Sequence, residues 1–236
     1  MMLHLFKRRA LIFSGFSFVL GCTLTVNLLS ADNCIEKMSF QYKRNDSLLR
    51  KGTANSKFLI ILILSQPASA YKRNVIRGTW LSLCSNISDV QYYFVIGGAG
   101  FTEEMRSSIE EEQSAHDDLI VLPNVYDEYR SLSNKVLQAF VWLDKVKHFQ
   151  YLLKCDDDSF VLVDKIVSEL QTIKLTMGHS LYWGFFNGRA QVKLSGKWKE
   201  SNWILCDHYL PYALGGGYVL SQKLVHFIAL NAKFLR

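Results

Sequence analysis

The chain has 236 residues, 49% hydrophobic and 13% aromatic, which excludes a disordered protein and allows one sizeable domain with some extra. The formal charge of +6 is spread along the chain rather than bunched, which excludes the basic stripe of a nucleic-acid binder. Internal repeats, low-complexity tracts and Cys-x-x-Cys or Cys/His zinc spacings are absent.

At the amino terminus Lys7-Arg8-Arg9 precedes 22 uncharged residues at 10–31. As a helix this stretch measures about 33 Å, enough to cross a bilayer. A cleaved signal peptide would carry a shorter apolar region, and Leu29-Ser30-Ala31 fits a cleavage site poorly. Basic residues before the span, with Asp32 and Glu36 after it, place the amino terminus in the cytosol. The expectation is a type II signal anchor: a cytoplasmic tail at 1–9, a transmembrane helix at 10–31, a lumenal stem at 32–56 and a globular domain from 57 to 236. Two acceptor sequons, at Asn45 and Asn86, agree with a lumenal address and mark expected glycosylation sites. Cys22 falls in the span; Cys34, Cys84, Cys155 and Cys206 face an oxidising compartment, and the sequence does not choose among their pairings.

The domain opens on a continuous apolar run at 58–64, suited to a strand buried on both faces. Strand-like runs follow at 90–96, 119–122, 151–153 and 181–186. Between them Leu132, Val136, Ala139, Leu143 and Val146 mark one face of an amphipathic helix. Val163, Val167, Leu170 and Ile173 repeat that spacing, with Asp164 as the expected N-cap. Alternating strands and helices predict an α/β domain, a mostly parallel twisted sheet with helices on both faces.

Directly after the run at 151–155 come three acids, Asp156-Asp157-Asp158. Clustered carboxylates at the end of a buried strand carry a desolvation cost that a cation or hydrogen-bond donors must offset. Hard divalent ions take oxygen ligands and share them with substrate phosphates, and open α/β sheets bind ligands outside the carboxyl ends of their strands. The triplet therefore suggests a metal–diphosphate site; a solvated acidic turn is the competing reading. Arg73 and Arg77, after the first strand, offer planar forks that suit phosphate, and equally could be solvated beside a packed Trp80. The aromatic run at 182–186 could stack on a sugar, although strand aromatics are commonly core. Gly215-Gly216-Gly217 packs poorly as core and lets main chain approach a ligand. No G-x-G-x-x-G, P-loop or G-x-S-x-G spacing occurs, which argues against dinucleotide binding, P-loop chemistry and a serine hydrolase.

Five segments in order, at 73–80, 127–135, 154–159, 182–184 and 215–221, resemble the β-1,3-glycosyltransferases of glycosyltransferase family 31. Residues 181–189 and 210–220 resemble in particular the subgroup that builds the glycosaminoglycan linkage region. The resemblance implies a GT-A fold, a UDP-galactose donor and Mn²⁺ on Asp156 and Asp158. It also implies donor contacts from Arg73, Arg77, Lys135, Asp156 and Asp157, and a sugar pocket bordered by Trp183, Gly215, Gly216 and Gly217. The implied reaction is inverting transfer of galactose to O3 of a β-galactoside, Gal-Xyl-Ser on a proteoglycan core protein, by a single-pass enzyme of the Golgi membrane with no nucleic-acid partner. Such a displacement needs one base to take the acceptor proton.

The family's acidic motif for that base, and a further metal-ligand histidine, lie after the helix that follows the glycines, and neither is present before Arg236. The expectation is a truncated chain or short form with its base beyond Arg236; Asp207 is the acid nearest the glycines and is not assigned the role. Two alternatives follow: a non-catalytic lectin-like or chaperone-like relative, or a β-1,3-N-acetylglucosaminyltransferase.

Overall fold

Eight residues, Lys57–Leu64, form β1, and all of its last six side chains are buried. A strand can be apolar at every position only when both of its faces are covered, which places β1 at the sheet's centre. β2 (Val90–Gly97) and β4 (Phe149–Asp156) flank it, both parallel. β3 (Leu119–Leu122) continues parallel beyond β2. On the other side β6 (Tyr212–Ser221) runs antiparallel to β4, and β5 (Tyr182–Asn187) is antiparallel to β6 at the edge. The order is β3-β2-β1-β4-β6-β5. The computed structural model describes residues 56–84, 89–177, 180–196, 199–200 and 206–235.

Side chains alternate between the two faces of the sheet, and each face has its own core. Leu59, Ile61, Ile63, Phe94, Ile96 and Leu153 pack with Ile76 of α1 (Ala70–Gly78), Ile109 of α2 (Glu103–His116) and Val163, Val167 and Leu170 of α4 (Val163–Met177). Ile60, Leu62, Val95, Leu152 and Leu220 pack with Ala139, Phe140 and Leu143 of α3 (Leu132–Val146) and Val225 of α5 (Gln222–Leu230). The expected mostly parallel α/β sheet with helices on both faces is what forms.

The differences have local reasons. α2 has a single buried residue, Ile109, so it lacks the apolar stripe by which a helix is recognised. Its start is fixed by Thr102, whose hydroxyl accepts from the Met105 N–H at 3.2 Å. Asp164 lies in the first turn of α4, which already begins at Val163, so it meets the helix dipole rather than acting as the N-cap. The glycine segment is strand β6, held by pairing with β4. The expected tail, membrane span, stem up to residue 55, and Asn45 and Asn86 lie outside the described residues; within those residues no helix is long and apolar enough to cross a membrane. Cys22, Cys34 and the Cys84 side chain are likewise outside, and Cys155 is a buried free thiol.

Candidate active site

From β1 the chain builds outward to β2 and β3, then crosses back to place β4 on the other side of β1. The β1/β4 boundary is therefore the point where strand order reverses, which is where open α/β sheets bind their ligands. Leu64 at the end of β1 is in register with Asp156 at the end of β4. Ser65 follows the one, and Asp157 and Asp158 turn out of the other.

The three acids have different surroundings. The Asp156 side chain is 37% exposed, and its Oδ1 accepts a 2.6 Å hydrogen bond from Lys154 Nζ. Lys154 is buried in β4, also donates to the Gly215 carbonyl at 2.6 Å, and lies 5.9 Å from the centre of the Tyr218 ring. Burial, reinforced by Tyr182 and Asp156, pushes the Tyr218 hydroxyl well above its ordinary range. Asp157 faces back into the protein: Oδ2 accepts from Ser65 Oγ at 3.0 Å and Oδ1 from Lys72 Nζ at 3.1 Å. Asp158 is exposed, its carboxylate taking no hydrogen bond or ion pair among the described residues.

Beside the acids runs the glycine strand. Ser159 Oγ donates to the Gly216 carbonyl at 3.0 Å, so β6 is tied to the acidic turn at two carbonyls, Gly215 and Gly216. Among the described residues a Cβ on Gly216 would meet nothing within 4 Å, and one on Gly215 would meet only Lys154 Nζ at 3.9 Å. Packing among the described residues does not demand these glycines, which leave the main chain uncovered next to the acids. Gly184 contrasts with them, since a Cβ there would come within 3.0 Å of the Ala213 Cβ. Trp183, expected in the sugar pocket, is half-buried against the core that contains Leu153. Tyr182, Phe185 and Phe186 are the exposed rings of β5.

The basic residues expected on the donor serve the frame in this structure. Arg73 is 0% exposed; its Nε and Nη2 grip Glu112 at 2.8 and 2.6 Å, and Nη1 donates to Ser65 Oγ and to the Gln66 carbonyl. Arg77 holds Asp118 through two bonds of 2.8 and 2.7 Å and Glu112 through one of 2.7 Å. Burial alone would raise the Glu112 carboxyl, but the two guanidinium groups hold it below the ordinary carboxylate value. Burial alone would lower Arg77, and Asp118 and Glu112 hold it above its usual value. Both arginine forks thus meet protein carboxylates, joining α1 to α2, with donors already engaged. Lys135 is buried and donates to the Ser65 carbonyl and to Asp127, whose other oxygen accepts the Gly97 N–H at 2.6 Å. Burial lowers the Lys135 ammonium more than Asp127 and Asp157 raise it.

Ser65, Lys72, Lys154 and Asp127 complete the site without having been singled out from sequence. Two of them carried a signal. A lysine inside an apolar strand must find partners when buried, and the first polar residue after a wholly apolar strand lies at its carboxyl end.

Among the described residues no three His, Cys, Asp or Glu side chains converge to cage a metal ion. Of the three acids, Asp158 has its carboxylate open to a ligand, and Asp156 keeps Oδ2 clear of the Lys154 bond, donor chemistry that hard divalent ions take.

Residues 71–236 match the family model described as galactosyltransferase. The chain is 45% identical over 181 residues to beta-1,3-galactosyltransferase 6 of Mus musculus, covering 76% of this chain and 56% of that protein. It is 36% identical over 129 residues to UDP-GalNAc:beta-1,3-N-acetylgalactosaminyltransferase 2 of Danio rerio, covering 55% and 26% respectively. It is 29% identical over 229 residues to beta-1,3-galactosyltransferase 2 of Homo sapiens, covering 88% and 52%. The chain thus spans at most about half the length of these curated relatives.

Proposed function

Because the chain belongs to the galactosyltransferase family, we propose that it transfers galactose from UDP-galactose to O3 of a β-galactoside, with Gal-Xyl-Ser of the glycosaminoglycan linkage region as acceptor. The observation that carries the reading is the acidic turn Asp156-Asp157-Asp158 at the β1/β4 switch point, beside an open glycine strand. A nucleotide-sugar donor of this kind suits a crevice beyond the carboxyl ends of parallel strands, and the sheet is consistent with a GT-A type domain. Similarity to the mouse β-1,3-galactosyltransferase supports galactose over other sugars.

Asp156 and Asp158 would hold Mn²⁺, which as a Lewis acid offsets negative charge on the departing UDP. The protein's own groups do the rest. Lys154 and Ser159 hold the glycine strand against the turn, so the open surface over Gly215 and Gly216 borders the acids. In the reaction the acceptor O3 forms a bond to the anomeric carbon as the bond from that carbon to UDP breaks, and the O3 proton passes to a base. Asp207 is exposed and is not assigned that role. The expected anchor at 10–31 would place the domain in the Golgi lumen.

The test offers the full-length protein UDP-galactose or UDP-N-acetylgalactosamine, a galactosyl-xyloside and Mn²⁺. Transfer from UDP-galactose, with a β-1,3 linkage in the product, is expected. Turnover with the acetylated donor alone would remove the galactosyl assignment.

A further inference from the structure

We infer that Ser65 is a positioning residue, whose hydroxyl orients the Asp157 carboxylate and with it the acidic turn. The inference rests on the reading of that turn as the donor site. Ser65 is 2% exposed, and each of its polar groups is engaged. Its N–H donates to the Val95 carbonyl at 3.0 Å, which anchors it to β2, and its own carbonyl accepts from Lys135. Its Oγ lies 3.2 Å from Arg73 Nη1 and 3.0 Å from Asp157 Oδ2.

The direction of those two bonds is forced. A guanidinium has donors and no acceptor, so Arg73 gives its proton to the Ser65 oxygen. The one hydroxyl proton of Ser65 is then left for Asp157, an ionised acceptor, and such a charge-assisted bond is about twice as strong as a neutral one. The other oxygen of Asp157 meets Lys72, whose side chain is 54% exposed, and pairs of that kind contribute little. Ser65, not Lys72, therefore sets the carboxylate. Neither Arg73 nor Lys135 contacts Asp157 by a hydrogen bond among the described residues, and Lys135 meets the Ser65 backbone carbonyl rather than its hydroxyl. With Asp157 turned back onto β1, Asp158 is the acid of the triplet left free.

The experiment is calorimetric titration of the full-length protein with UDP in Mn²⁺. Ser65→Ala should weaken UDP by about tenfold, the effect of losing one hydrogen bond to a charged group. In an Asp157→Ala background the same change should have no further effect, because Ser65 acts through that carboxylate; a merely structural serine would cost the same in both backgrounds. UDP binding by Ser65→Ala equal to the parent, or additive losses in the double variant, would overturn the inference. Should Ser65→Ala not fold, Ser65→Cys, a far weaker donor, carries the same expectation. Asp158→Ala, titrated alongside, separates the two levels. A parent that binds no UDP removes the donor-site reading itself. A parent that binds, an Asp158 variant that does not and a Ser65 variant that is unaffected remove only the role of Ser65.

Discussion

Replacing Arg73 with Met asks whether this arginine holds the domain together or holds the donor. Its side chain is wholly buried and makes two short bonds to Glu112, so the substitution leaves a carboxylate with 11% exposure short of one of its two cations. Removing one member of a buried ion pair costs about 3–5 kcal/mol. Arg77 remains on Glu112 Oε1 at 2.7 Å, which places the loss near the lower end. About 3 kcal/mol should lower the midpoint of thermal unfolding by roughly 6–12 °C for a domain of this size. Scanning calorimetry reads that shift, and titration with UDP and Mn²⁺ below the transition should show affinity changed less than about fivefold. A stability loss under about 1 kcal/mol together with UDP binding weakened more than tenfold would refute the reasoning and return Arg73 to the nucleotide.

The same clamp predicts a pH dependence. The folded-state pKa of Glu112 is depressed below its ordinary 4.5, so its contribution is present above that value and is lost as pH falls through the lower folded value. Urea unfolding across the acid range should show stability falling with pH, and Glu112→Gln should flatten the slope; an unchanged slope would contradict the pairing. At Cys155 burial pushes the thiol up to about 12, well above the range in which a thiolate forms at neutral pH. Iodoacetamide at neutral pH should spare Cys155 in the folded protein and label it after unfolding in urea, read in peptide mass spectra, and early labelling of Cys155 would show that β4 is not packed as described.

The strands were legible where apolar runs were long, as at Lys57–Leu64, because burial on both faces leaves a mark at every position. The acidic triplet was legible for the opposite reason, as charge concentrated where burial ends. α2 was not, since one buried isoleucine makes no period. Nor were the partners of the basic residues. Whether an arginine meets a phosphate or a protein carboxylate depends on what the fold brings near, and Glu112 is 39 residues from Arg73 in sequence. Trp183 followed the same logic: an aromatic in a strand faces core or solvent according to register, and here it faces core. Ser65 emerged only when β1 and β4 lay side by side and Asp157 came within reach.

The most direct measurement is the affinity for UDP of the parent and of Asp158→Ala, each with Mn²⁺ and with the metal chelated. Binding by the parent that needs the metal and disappears in the variant, with both proteins unfolding at the same temperature, is the predicted result. Equal UDP affinity in the two proteins, or binding indifferent to the metal, would contradict the assignment of the acidic turn as the donor site.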